Sequence, residues 1–231
     1  MRDLGMQLET DKLDIERVTA AAPFCAGVVV TRGASLLVTL NTDGLPAELA
    51  GGRTLRVGGV GGGQEPGESI VECARREAYE ELSVPVRIRS SEITYVHSLD
   101  SGRYQRITCH DDPAPLLLQW KTNPAPYQPF RQGLPAGPET YFGLYLADAA
   151  PDDMQPGDDV VGLLFVPLEC WSGFTEVQPL QWVIERGGVL IEKGGSHLEG
   201  RNLLWAASDE SFRTVAVLLG KHTELLVSEA P

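Results

Sequence analysis

The stretch Gly58–Val84, GGVGGGQEPGESIVECARREAYEELSV, sets five glycines within positions 58–63 against five glutamates and two arginines between Glu68 and Glu81. A helix over Ser69–Leu82, at 100° per residue, aligns Ile70, Ala74, Ala78 and Leu82 along one edge as a buried stripe. Glu77, Glu80 and Glu81 then stand at i, i+3 and i+4, with their carboxylates on one side of a single turn. Like charges at that spacing repel. A helper pair between Glu72 and Arg76 at i+4 returns only about 0.2–0.5 kcal/mol. Oxygen donors crowded on a rigid turn are what a hard divalent cation such as Mg²⁺ takes, completing its shell with water and substrate phosphate. Gly61, Gly62 and Gly63 let the backbone approach a ligand closely, and Pro66-Gly67 turns the chain into the helix, with Glu68 at its positive end. Flexible backbone beside clustered carboxylates is expected to make a metal–phosphate site.

The rest of the chain sets the limits. Its 231 residues suffice for one sizeable domain, and 42% apolar with 22% charged residues is the balance of a soluble globular protein. A net charge of −13 argues against nonspecific binding to nucleic acid or to an anionic membrane, since the summed field repels phosphate backbones. It leaves room for a small phosphorylated ligand held by local cations or a metal. Cys25, Cys73, Cys109 and Cys170 form no C-x-x-C and are expected as free thiols. The charged N-terminal stretch has no apolar signal core and no run approaches the ~20 residues of a membrane span, so the cytoplasm is the expected location.

Along the chain, FCAGVVVTRG and ASLLVTLNTDG read as two β-rich runs turning at Arg32-Gly33. A loop with a short strand near Thr54–Val57 leads to the glycines, and VRIRSSEITYVHSL again has strand composition. From Asp100 to Pro138, seven prolines surround Arg103, Tyr104, Arg106, Tyr127, Phe130 and Arg131; this reads as a long excursion holding one strand, PLLLQWK. ETYFGLYLADA and VVGLLFVPLECW read as strands. SDESFRTVAVLLGKH reads as a helix capped by Ser208, with Ser211 three residues on, and stopped by Gly220. Interleaved strands with few helices favour an α/β or α+β layer structure on a mixed sheet.

The spacing in the opening stretch is specific. Gly62, five residues, Glu68, seven residues, then Arg76-Glu77-Ala78-Tyr79-Glu80-Glu81-Leu82-Ser83-Val84 closely resembles the Nudix box, G-x5-E-x7-R-E-U-x-E-E-x-G-U with U apolar. Every charged position is present. Ser83 replaces the late glycine and Ala78 is a small first apolar residue; Ser83 is expected to strain or reshape the helix exit at about 1 kcal/mol.

The resemblance implies a Nudix α/β/α sandwich with a mixed β-sheet in a single domain 1–231. Its core would span about 20–175, with the Pro-rich insertion at 100–138 and a C-terminal extension at 176–231. It implies a Mg²⁺- or Mn²⁺-dependent hydrolase that cuts a phosphoanhydride in a nucleoside diphosphate linked to another moiety. Matched residue by residue, Glu77, Glu80 and Glu81 would be metal ligands with the Gly61 carbonyl, and Glu77 is alternatively the general base. Arg76 would orient the glutamates and Glu68 would pair with it or anchor the loop beside the metal. Gly62 and Gly63 would meet substrate phosphates. Asp111, Asp112 and Glu139 are candidates for a further ligand or base outside the box. Arg103, Arg106 and Arg131, among aromatic residues, are candidates for reading the rest of the substrate; the other reading of the excursion is a surface flap or a homodimer contact. A nucleotide-sensing domain that binds without cleaving is the competing function, and such domains typically lose box carboxylates that this chain keeps. There is no P-loop and no H-E-x-x-H among His97, His110, His197 and His222. The tryptophans Trp120, Trp171, Trp182 and Trp205 are expected in the core.

Overall fold

The computed structural model describes residues 12–131, 133–150, 152–157, 159–194 and 198–226. His197 and residues 1–11 lie outside them. In chain order, β1 is Lys12–Leu13, α1 Ile15–Thr19, β2 Phe24–Val29, β3 Thr31–Arg32, β4 Ser35–Asn41, β5 Thr54–Gly58 and β6 Val60–Gly63. After α2 (Ile70–Leu82) come β7 Arg87–Arg89, β8 Thr94–Ser98, β9 Tyr104–Cys109, β10 Leu117–Thr122, β11 Glu139–Asp148 and β12 Gly162–Pro167. A 3-10 stretch at Leu168–Thr175 precedes β13 Gln178–Pro179, α3 Leu180–Ile184, β14 Val189–Glu192, β15 Leu203–Trp205 and α4 Ser211–Lys221.

Two compact units share this chain. One holds the residues up to Val28, Gly61–Glu77 and Arg87–Ala147; the other holds Val29–Val60, Ala78–Val86 and the residues from Asp148 onward. Each has a mixed sheet, in keeping with the α/β class. The first runs β1-β9-β8-β10-β11-β2-β6, with β7 also on β11. Its β1–β9 and β8–β10 pairs are parallel, while β8–β9 and β10–β11 are antiparallel. The second runs β13-β15-β5-β4-β12-β14, with β3 on β4. There β15–β5 is parallel, and β4–β5, β4–β12, β12–β14 and β13–β15 are antiparallel. Leu116–Leu118 and Tyr145 are buried in the first unit, and Leu36–Val38, Leu163–Val166, Phe174 and Phe212 in the second. No helix among the described residues is long and apolar enough to cross a membrane.

The expected turn at Arg32-Gly33 joins β3 to β4, with Gly33 at φ +56° and the Leu37 N–H donating to Val30 O at 2.9 Å. β2 itself belongs to the first sheet, so the chain changes sheets at the end of that strand. The Asp100–Pro138 reading needs correcting: it holds two strands, and β10 lies inside the sheet between β8 and β11. β9 escaped notice because Tyr104, Gln105 and Arg106 are exposed and of its apolar positions only Ile107 is buried. The remaining loop is closed at its base by Asn123, whose N–H donates to Pro138 O (2.7 Å) and whose Nδ2 donates to Gly137 O (2.8 Å) and Thr140 Oγ1 (2.9 Å).

Smaller corrections concern element ends. β12 stops at Pro167, and LECW begins the 3-10 stretch. Helix α4 is capped by the Glu210 side chain, not Ser208, and runs through Gly220 to a C-cap at His222. Phe212 sets that start: a Cβ on Gly59 would lie 2.0 Å from its ring, so packing fixes the helix register. All four cysteines are free; Cys73 and Cys170 are buried and Cys25 and Cys109 half-buried. Of the tryptophans only Trp171 is fully in the core; Trp120, Trp182 and Trp205 are half-buried.

Candidate active site

The glycine run is largely a strand. Gly61–Gly63 complete β6, the last strand in its sheet path. Gly61 has φ +150°, and a Cβ there would sit 2.5 Å from Ala26 O and 2.6 Å from Gly27 Cα, backbone atoms that cannot yield. At Gly62 the neighbour is a side chain instead: a Cβ would lie 2.2 Å from Glu77 Oε2. The absence of side chains thus brings the Glu77 carboxylate directly onto the backbone of the strand.

From the strand, a turn with Gly67 at φ +82° leads into α2, and the Glu65 N–H donates to Glu68 Oε2 at 2.9 Å. The helix then starts on a capping box. The Ser69 N–H and Oγ donate to Glu72 Oε2 at 2.9 and 2.7 Å, and the Glu72 N–H donates back to Ser69 Oγ at 3.3 Å. This corrects the expected Glu72–Arg76 pair: the Ser69 N–H and hydroxyl at the helix start claim Glu72. The predicted stripe holds, with Ile70, Ala74, Ala78 and Leu82 at most 2% exposed.

Arg76 is the hub of the box. Its Nε and Nη2 donate to the two oxygens of Glu68 at 2.9 and 3.0 Å, a bidentate pair. Its Nη1 donates to Glu77 Oε1 at 2.9 Å and its Nη2 to Gly63 O at 2.8 Å. One planar guanidinium therefore ties the loop carboxylate, the helix carboxylate and the glycine strand together. Its hydrogen bonds to Glu68 raise the Arg76 pKa further above its ordinary value, so its charge is permanent. Burial alone would raise Glu68, but hydrogen bonds from Arg76 and from the Glu65 N–H, with the guanidinium charge, hold it below the ordinary value of 4.5.

That shift has a pH consequence. A carboxyl whose folded pKa is depressed contributes stability that is present above its unfolded value and lost as pH falls through the folded one. Melting temperature should fall as pH drops below about 4.5. Glu68→Gln should lower it at pH 7 and flatten that acid arm, and parallel curves for the two proteins would refute the assignment.

Glu80 is exposed and Glu81 half-buried, on the same turns of α2 as Glu77. Among the described residues no three His, Cys, Asp or Glu side chains are grouped to hold a metal ion; Glu77 is engaged with Arg76. The donors are nevertheless all oxygen, and Gly62 leaves Glu77 against the strand's backbone. That donor chemistry fits a hard divalent cation.

The structure separates the three arginines. Arg131 lies against β6: a Cβ on Gly63 would meet its Cδ at 3.8 Å. Arg106 is on β9 and Arg103 immediately precedes it, five strand positions from β6, or about 24 Å at ordinary spacing. There Arg106 covers the Tyr95 ring at 5.8 Å, and Tyr104 stacks on His97 at 4.0 Å. Asp111 caps α1, accepting from the Ile15 and Glu16 N–H groups at 2.8 and 2.9 Å, with Asp112 beside it in sequence. Glu139 accepts from the Tyr141 hydroxyl. Sequence reasoning missed Lys121 and Cys25 near Arg131; both stand on strands it had recognised, and the parity of β10 carried the signal for Lys121.

Comparison with known proteins follows the same lines. The NUDIX domain model matches residues 23–183. Solved structures similar to the chain include a Nudix hydrolase from Nitrosomonas europaea at 13% identity, covering 66% of this chain and 76% of that one with a TM-score of 0.35. An ADP-ribose pyrophosphatase from Streptococcus suis gives 13%, 64%, 76% and 0.35 in the same terms. A C. elegans Ap4A hydrolase gives 18%, 64%, 82% and 0.36. None of the curated proteins compared with the chain matches it. With the box built around Arg76 and the domain model spanning well over half of the residues, the chain belongs to the Nudix family.

Proposed function

We propose that this Nudix protein hydrolyses a phosphoanhydride in a nucleoside diphosphate joined to another moiety, with Mg²⁺ or Mn²⁺ as cofactor. The observation that carries this reading is the Arg76 hub, which links Glu68, Glu77 and the Gly63 carbonyl within one intact box. Glu77, Glu80, Glu81 and the Gly61 carbonyl would hold the cation. A divalent cation there supplies charge neutralisation and an activated water. The chain's own work is positional. Arg76 fixes the Glu77 rotamer and keeps Glu68 ionised, so the carboxylates need no reorganisation when substrate arrives. Glu77 already shares its charge with a guanidinium, which suits a ligand better than a proton acceptor. Of the two glycines, half-buried Gly63 would offer its backbone to a diphosphate, whereas Gly62 is buried beneath the Glu77 carboxylate.

Turnover of nucleotide sugars, ADP-ribose, dinucleoside polyphosphates, coenzyme A and oxidised dNTPs with each metal tests the reading. Saturating Mg²⁺ or Mn²⁺ should also raise the melting temperature by mass action, about 2.7 kcal/mol at one hundred times Kd. EDTA should abolish activity without unfolding the protein, since a core of this size does not depend on metal. Metal-induced stabilisation with no turnover of any substrate would point to nucleotide sensing instead.

A further inference from the structure

Strand parity sorts what surrounds the glycine strand. The Gly62 position faces Glu77, whereas a Cβ on Gly63 would meet Leu134 Cδ2 at 3.0 Å and Arg131 Cδ at 3.8 Å. Successive residues of β6 thus look to opposite sides, one bearing a carboxylate and the other a cation. Because β6 ends its sheet path, a ligand laid along it meets both.

Arg131 has a second cation near it. Lys121 Nζ stands 3.8 Å from the centroid of the Phe130 ring, and Phe142 meets that ring edge-on at 5.2 Å. In the β10–β11 register Gln119 faces Phe142 and Lys121 faces Thr140, so Lys121 and Phe142 share one face of the sheet. Phe130 is 41% exposed and presents this arrangement to water. The Cys25 thiol marks how close these groups lie to the box. Arg131, Lys121 and Glu77 all act on it electrostatically. Among the described residues neither Arg131 nor Lys121 forms an ion pair with a carboxylate. In a chain of net charge −13, one such cation against the glycine strand and a second on the neighbouring Phe130 ring favour an anion from outside.

We infer that Arg131 and Lys121, with Phe130 as support, form a subsite for a phosphoryl group beyond the diphosphate held at the box. The favoured ligand is a nucleotide whose further moiety is itself phosphorylated, not one ending in an uncharged sugar. The inference rests on the proposed hydrolase reading for the position of the diphosphate, and a binding measurement separates the two. Non-hydrolysable α,β-methylene ADP and α,β-methylene ATP are titrated into the full chain by calorimetry. The wild type should bind the triphosphate about 30-fold more tightly, as one or two charge-assisted contacts allow. Arg131→Gln and Lys121→Met should each bring that ratio to within about threefold while leaving diphosphate affinity and melting temperature unchanged. An unchanged ratio in both variants, or equal loss for both analogues, overturns the subsite. A ratio that collapses as expected in a protein that hydrolyses nothing supports the subsite and overturns only the hydrolase reading.

Discussion

Glu77→Gln should lower kcat by about 10²–10³-fold while leaving the melting temperature within a few degrees of wild type. The substitution keeps shape and hydrogen bonding, since the amide oxygen still accepts from Arg76 Nη1, which now stands 2.9 Å from Glu77 Oε1. It also fits the space over Gly62, where the missing Cβ leaves room for the side chain. What it removes is one full negative charge at the point where α2 meets the glycine strand. If the carboxylates serve to gather a divalent cation, that loss falls on transition-state charge stabilisation and not on folding. The expected pattern is a large drop in kcat, a weaker metal-induced rise in melting temperature, and a retained fold by circular dichroism. Near-wild-type turnover on a substrate the wild type cleaves would remove Glu77 from the site.

The box was legible because its information is local. Fixed spacing of charge on a 3.6-residue period sets Glu77, Glu80 and Glu81 at i, i+3 and i+4 of α2 whatever the tertiary structure, and the same period reveals the buried Ile70–Leu82 stripe. Capping was local too, yet Glu72 was misread, because an i+4 partner is weaker than the Ser69 N–H and hydroxyl donors at the helix start. The arginines were not legible at all. Arg103, Arg106 and Arg131 are close in sequence and similar in setting, and only strand order, with β9 and β6 five positions apart, divides them. That order depends on pairings between distant segments, which no local pattern records. The same holds for α4, whose first turn is set by Phe212 against Gly59, residues far apart in the chain.

Gly157→Ala should destabilise the protein by about 3 kcal/mol, lowering the melting temperature by roughly 10 °C in a chain of this size. The reason lies at the exit of the box helix. Ser83 stands where the family pattern has glycine, and it takes the left-handed conformation at φ +58°, its N–H donating to Tyr79 O at 2.9 Å. The exit is therefore strained but not reshaped, at about 1 kcal/mol for a residue with a Cβ. A crossing segment satisfies what the helix end leaves open. The Gly157 N–H donates to Glu81 O at 2.9 Å and the Gln155 N–H to Leu82 O at 3.0 Å, while Lys193 Nζ donates to Gly157 O at 2.8 Å. The segment sits so close that a Cβ on Gly157 would lie 1.6 Å from Glu80 O and 2.7 Å from Glu80 C. Those are backbone atoms of the helix, so neither side can turn away, and alanine must push the segment off the turn that carries Glu80 and Glu81. Ser83→Gly, in contrast, relieves the left-handed residue and should raise the melting temperature by about 2 °C. Thermal melts of the two variants beside wild type decide the matter: a Gly157→Ala protein as stable as wild type would mean that this segment does not pack on the helix end as described.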